Sequence, residues 1–149
     1  MGRLSKIDLA YIAGFLDGDG SIMLQMHRRQ AGKEALRVKT VICFYQDSRH
    51  HQDVEWIQKV LECGYVYKRC DHISELRIEG YGKVYQVLKA LNPYLRFKQK
   101  QAELMLDLIP KLQQGVKSSI VDEIRKMREL NYVSHKRNTL EDVPVTTDI

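Results

Sequence analysis

The run "LAYIAGFL" (residues 9–16) constrains this chain more than any other stretch. Every position is apolar or small, and the run passes straight into Asp17-Gly18-Asp19-Gly20. A surface helix ordinarily hides one stripe and shows the rest to water. This helix has no polar stripe in its second half, so it must be covered on more than one side. In a chain of 149 residues one side can rest on a sheet. Ala10, Ala13 and Gly14 bring small residues together and admit a second helix backbone at close range. A second copy of the same helix would meet that need. Ser5, with Asp8 three residues on, reads as a capping box with Asp in place of Glu, so the helix is expected from about Lys6 to Leu16.

After Gly20 the period changes to two. Ile22, Leu24 and Met26 alternate with Met23, Gln25, His27 and Arg29. Leu36, Val38, Thr40, Ile42 and Phe44 alternate with Arg37, Lys39, Val41 and Cys43. Residues around Ala31-Gly32-Lys33 make a hairpin loop between the two strands. A helix is expected from about Ser48 to Cys63, with Gly64 past its end. Two further strands follow: Tyr65, Tyr67 and Arg69 share a face in the first, and Glu75, Arg77 and Glu79 in the second, opposite Leu76 and Ile78. Val84, Val87, Leu88 and Leu91 mark a helix stopped at Asn92-Pro93. "KQKQAELMLDLIPKL" marks another, bent or ended by Pro110. A last helix is capped by Ser119 and Asp122, with Ile120, Ile124, Met127 and Leu130 as its stripe.

The order is helix, two strands, helix, two strands, helices. That is an α+β fold with a four-stranded antiparallel sheet covered by helices on one face. The length fits a single domain over residues 1–149, closed by a basic tail from about residue 132 that includes Lys136 and Arg137. The chain is 44% hydrophobic and 29% charged, which excludes a disordered chain. No apolar run approaches the ~20 residues a bilayer span needs, and the N-terminus lacks a signal-peptide shape. No membrane partner is expected. Cys43, Cys63 and Cys70 have neither C-x-x-C spacing nor an even count, and read as reduced thiols in an intracellular compartment.

The uncovered sheet face would carry Gln25, His27, Arg29, Arg37, Lys39, Tyr65, Tyr67, Arg69, Glu75 and Arg77. A solvated polar face is the plain alternative. The mixture favours a duplex groove: basic side chains hold phosphates, Gln, Arg and Glu read base edges, and Tyr makes apolar contacts. A net charge of +5 permits this.

Asp17 and Asp19 at a helix end oppose the macrodipole and need compensation, which a bound cation would supply. The alternative is a simple turn. A calcium EF-hand loop is excluded: counted from Asp17, its glycine falls on Ile22 and its bidentate Glu on Arg28. Magnesium, which keeps water and phosphate ligands and needs only one or two carboxylates, fits better.

"LAYIAGFLDGDGSI" resembles the signature of the LAGLIDADG homing endonucleases, in the single-motif group that works as homodimers. Gln46 after the second strand, "NPYLRFKQKQA" before a long helix, and a basic tail after Leu130-Asn131 follow the same order of parts. The resemblance spans most of residues 5–140. It implies an αββαββα fold with a saddle-shaped sheet and a motif helix packed on its twin, with Ala10, Ala13 and Gly14 at the interface. It also implies double-stranded DNA as partner, cleaved at a long, roughly palindromic site to leave short 3′ overhangs. Asp19 would be the metal-binding acid, with the Gly18 carbonyl as an added ligand and Asp17 structural. Gln46 would position water, Lys98 would be the basic active-site residue, and His50 would be a basic residue near the site. Mg²⁺ is the implied cofactor, with Mn²⁺ substituting and Ca²⁺ supporting binding without cleavage. A non-catalytic binder on the same scaffold, an RNA-splicing maturase or a repressor, is the alternative. Such proteins commonly lose an active-site acid, whereas Asp19, Gln46 and Lys98 all stand here.

Overall fold

Gly20 turns a helix into a strand with no intervening loop. A Cβ there would lie 2.5 Å from Leu16 Cδ1 and 2.9 Å from both Cα and O of Leu16, so only glycine lets the backbone fold back this closely. In this computed structural model, which describes residues 4–28, 36–115 and 120–131, helix α1 spans Lys6–Asp19 and strand β1 spans Gly20–Arg28. The helix therefore runs three residues beyond the expected Leu16, and Asp17-Gly18-Asp19 forms its last turn. Ser5 sits at the N-cap but its side chain makes no capping bond; its carbonyl accepts the Leu9 N–H at 3.0 Å. The expected capping box is absent. Arg29, the hairpin tip around Ala31-Gly32-Lys33, Ser119, and Lys136 and Arg137 of the tail lie outside the described residues.

Strands β2 (Leu36–Asp47), β3 (Tyr65–Lys68) and β4 (Ile73–Glu79) complete an antiparallel sheet of order β1-β2-β4-β3. Ile22 lies opposite Ile42, Ile42 opposite Ile78, and Phe44 opposite Leu76. Those positions share one face, and all are fully buried. Burying a side chain of that size stabilises the fold by about 1.5–3 kcal/mol. The Phe15 ring of α1 stacks on Phe44, centroids 6.1 Å apart. Helices α2 (His51–Leu61), α3 (Tyr81–Leu91), α4 (Gln99–Gln113) and α5 (Ile120–Asn131) add Val54, Val84, Met105 and Ile120 to the same core. The α+β architecture expected from the hydrophobic periods is the one observed.

Several details differ from the sequence reading. Pro110 lies inside α4, which continues to Gln113, because the residues around it stay packed on the core. Leu130 is 36% exposed and falls off the α5 stripe. Ala13 is completely buried, on the inward stripe with Leu9, Ile12 and Leu16. At roughly 100° per residue the outward stripe is Ile7, Ala10, Tyr11, Gly14 and Gly18. Ala13 thus belongs to the protomer's own core and not to a free helix face.

Polar side chains pin the edges. Asn131 Nδ2 donates to the Ile22 carbonyl at 2.8 Å, tying the end of α5 to the β1 backbone. Gln101 Nε2 donates to the Leu130 carbonyl at 3.0 Å. His51 Nδ1 and Ser74 Oγ are 2.7 Å apart, and Ser74 Oγ donates to Ser48 Oγ at 3.2 Å. Ser74 is fully buried, so this chain of hydroxyls and imidazole holds α2 against β4.

Candidate active site and open sheet face

The last turn of α1 carries two carboxylates on opposite sides. Asp17 faces inward and is 8% exposed. Its Oδ2 accepts the Arg96 N–H at 2.7 Å and its Oδ1 the Lys98 N–H at 2.9 Å. Lys98 Nζ donates to the Asp17 carbonyl at 2.5 Å, satisfying one of the carbonyls that a helix end leaves open. Asp17 is therefore a structural anchor joining α1 to the segment that enters α4.

Asp19 faces outward, is exposed, and has no hydrogen bond or ion pair among the described residues. Gly18 is exposed beside it, with nothing within 4 Å of a Cβ built there. Lys98 is the cation of this corner. Burial pushes its ammonium below the usual lysine range, against the opposing pull of Asp17 and Asp19. Asp19 and Lys98 are thus within electrostatic reach of each other. Among the described residues no group of three or more His, Cys, Asp or Glu side chains forms a ready metal cage. One protomer offers a carboxylate and a helix-end carbonyl, hard oxygen donors that suit a cation completing its shell with water and phosphate oxygens.

Gln46 is not joined to this pair. Its Oε1 accepts the Asp47 N–H at 2.9 Å, and it lines a cleft between α1 and α2 with Tyr11, Phe15, His50 and Trp56. His50 Nδ1 lies 3.2 Å from Asp53 Oδ2, so it too is engaged locally. Tyr11 and Trp56 meet edge to face, centroids 5.8 Å apart. Phe97, flanked by Arg96 and Lys98, is 81% exposed and Ile7 80%. The sequence reading missed Phe97. Its signal was an aromatic between two lysine or arginine positions, just before a helix.

Among the described residues, the open face of the sheet carries the strand side chains that the alternation places there. Cross-strand pairs Gln25–Lys39 and His27–Arg37 lie at the β1–β2 end, and Tyr65–Arg77 and Tyr67–Glu75 at the β3–β4 end. The two ends differ in chemistry. Arg37 and Lys39 pair with no carboxylate among the described residues. Arg69 and Arg77 are tied down: Arg69 NH2 lies 2.8 Å from Asp71 Oδ2 and NH1 lies 3.6 Å from Glu75 Oε2. Arg77 Nε donates to Glu79 Oε1 at 2.6 Å, and its NH2 to Gln25 Oε1 at 3.1 Å.

Glu75 departs from expectation. It lies on the open face but is only 3% exposed, beneath the arginines. Cys43 Sγ donates to its Oε1 at 3.2 Å, Arg77 NH1 lies 3.5 Å from the same oxygen, and the Tyr67 hydroxyl faces it. Burial first, and then this carboxylate, push Tyr67 up to about 12. A carboxylate so covered supports its neighbours and cannot itself meet a base edge. Burial likewise pushes the Cys43 thiol up to about 11, keeping it a neutral donor.

Three comparisons with known proteins agree. The family model for the LAGLIDADG endonucleases matches residues 12–106. DNA endonuclease I-CvuI of Chlorella vulgaris is 35% identical over 118 residues, covering 79% of this chain and 73% of that protein. DNA endonuclease I-CreI of Chlamydomonas reinhardtii is 27% identical over 151 residues, covering 98% and 92%. The crystal structure of I-CvuI with the I-CreI target in 2 mM Mg, where the DNA is not cleaved, superposes with a TM-score of 0.79 at 31% identity. It covers 89% of this chain and 87% of that one. Homing endonuclease I-TnaI shares the fold, with a TM-score of 0.72 at 22% identity over 85% of this chain and 90% of that one.

Proposed function

The chain belongs to the LAGLIDADG endonuclease family, and on that premise we propose that it is a homing endonuclease. It acts as a homodimer on a long, roughly palindromic double-stranded DNA site. It hydrolyses one phosphodiester in each strand with a divalent metal, leaving short 3′ overhangs. The observation that carries this reading is the outer side of α1: an exposed stripe of Ile7, Ala10, Tyr11, Gly14 and Gly18 ending in the exposed Asp19 carboxylate, which has no ion pair among the described residues.

Two copies packed along that stripe bring two Asp19 carboxylates together, where each resists ionising beside the other. Asp19 and the Gly18 carbonyl would hold Mg²⁺, with Mn²⁺ substituting and Ca²⁺ supporting binding alone. When bound, the cation lowers the pKa of a water and stabilises charge on the leaving oxygen. Lys98, held at the Asp17 carbonyl beside Asp19, stabilises the added negative charge of the transition state. Gln46 has its carbonyl engaged by Asp47 and keeps amide N–H donors to orient water. It has no basicity, so solvent takes the proton. Arg37 and Lys39 hold phosphates, and Gln25 with Tyr65 and Tyr67 faces the base edges.

The test is a cleavage selection. A randomised duplex pool about two helical turns long is incubated with the protein in Mg²⁺, in Ca²⁺ and in EDTA, and cut ends are sequenced. The expected result is a narrow, near-palindromic set of cut sites in Mg²⁺ alone. Duplexes retained but uncut in every condition would overturn the nuclease reading in favour of a binder. The thiols of Cys43, Cys63 and Cys70 are free, consistent with work inside a cell or organelle.

A further inference from the structure

Gln25 and Arg77 sit two strands apart, yet their side chains meet over β2. The floor between them is low: Val41 and Cys43 are both fully buried, so the Arg77 guanidinium lies across the sheet. Each part of it has an acceptor. Nε donates to Glu79 Oε1 at 2.6 Å, NH1 lies 3.5 Å from Glu75 Oε1, and NH2 donates to Gln25 Oε1 at 3.1 Å. Only 19% of the side chain is exposed. Arg77 therefore has few donors left for a ligand, and it fixes which way round the Gln25 amide stands. A flip of that amide would set its N–H groups against the Arg77 N–H groups, donor against donor.

We propose that Arg77 is a positioning residue that holds Gln25 with its carbonyl turned inward, so that Gln25 reads DNA through its amide donors and selects guanine over adenine. The chemistry follows from the groove edges. Guanine shows two acceptors, O6 and N7, whereas adenine shows the N7 acceptor beside the N6 donor. The usual glutamine–adenine pair uses the amide oxygen and nitrogen together, a geometry the Arg77 tether opposes. This inference rests on the reading of the open sheet face as the DNA-contacting surface.

The experiment is base-frequency sequencing of duplexes cut or retained from the randomised pool, for the wild-type chain, Gln25→Ala, Arg77→Met and Arg77→Lys. Thermal midpoints and sedimentation are measured in parallel. In the wild type, one position per half-site should favour guanine over adenine by about tenfold or more, the discrimination of a two-bond contact. Gln25→Ala should erase the preference at that position. Arg77→Met should level it or turn it to adenine at the same position, leaving the others unchanged, and Arg77→Lys should restore part of it. If Arg77→Met does not fold, the Arg77→Lys profile decides: an amide held by a looser single-point donor must show weaker guanine preference there. An adenine preference in the wild type overturns the proposal. So does an Arg77→Met or Arg77→Lys profile that is unchanged, altered at a different position, or weakened equally at all positions. If the wild-type protein neither cuts nor retains any duplex, the functional reading fails instead.

Discussion

The inward and outward sides of α1's last turn carry one carboxylate each, and their circumstances are opposite. Asp17 is 8% exposed and accepts two backbone N–H groups from a segment some eighty positions later in the chain. Asp19 is exposed and accepts no hydrogen bond among the described residues. Two residues along a helix rotate the side chain by roughly 200°, so an Asp-Gly-Asp turn places one acid in the fold and the other outside it. The inner acid offsets the charge it adds at the helix C-terminus through donors from Arg96 and Lys98. The outer acid has no such donors among the described residues, only the field of Lys98, which is the condition under which a cation binds. The glycine between them keeps the outer surface low enough for another backbone or a phosphate.

Neutralising each acid in turn breaks this comparison most directly. Asp19→Asn should reduce cleavage to background, a loss of several orders of magnitude, because it removes the ligand charge that holds the metal. Retention of duplex DNA and the thermal midpoint should stay near wild type. A variant that still cuts, or one that has lost its fold, would sink the assignment of Asp19. Leucine at position 14 tests the outward stripe. Gly14 has nothing within 4 Å of a Cβ, and exchanging Gly for Leu inside a helix favours the helix by about 0.5–1 kcal/mol. Gly14→Leu should therefore leave the protomer folded while shifting sedimentation to monomer and abolishing double-strand cleavage. An unchanged dimer would remove the α1–α1 contact from the functional reading.

The inner acid should respond in the opposite sense. Asp17→Asn keeps the shape but weakens two charge-assisted bonds, at a cost of about 1–3 kcal/mol. Denaturant unfolding should show that loss, while cleavage well below the new midpoint persists. Equal effects of Asp17→Asn and Asp19→Asn on both stability and cleavage would erase the distinction drawn between them.

How much of this was legible in the sequence follows the range of the interactions. Period-two alternation assigned Gln25, Lys39, Tyr67 and Arg77 to one face, because that rule is local and steric. It gave no account of Glu75, since alternation says which face a side chain leaves from and not whether Arg69, Arg77 and Tyr67 close over it. Size alone groups Ala13 with Ala10 and Gly14. The helical angle separates them, and the inward position of Ala13 depends on where the sheet lies. The apolar run alone ends α1 at Leu16, because the bonds from Arg96 and Lys98 to Asp17 reach across some eighty positions of the chain and nothing near Asp17 announces them. The family resemblance, and not the motif alone, assigns Asp19 and Lys98 to one site; in the fold Lys98 lies at the end of α1, within the field of Asp19.

Lys98 touches both sides of the comparison, and its titration offers the finest test. Burial holds its ammonium below the ordinary lysine value of 10.5, with Asp17 and Asp19 pulling the other way. For stability the sign is set by proton counts. Between the lowered folded pKa and the unfolded value the native state binds fewer protons, so this group's contribution rises with pH across that window. For cleavage the sign is the reverse, because the charged form is the one that stabilises the transition state. The cleavage rate under single-turnover conditions should begin to fall on the alkaline side at a lower pH than an ordinary lysine would give. In Lys98→Arg the guanidinium stays charged throughout, so the alkaline fall should disappear even if the overall rate is lower. A fall that persists unchanged in Lys98→Arg would place the titrating group elsewhere and leave Lys98 as an anchor for the inner side alone.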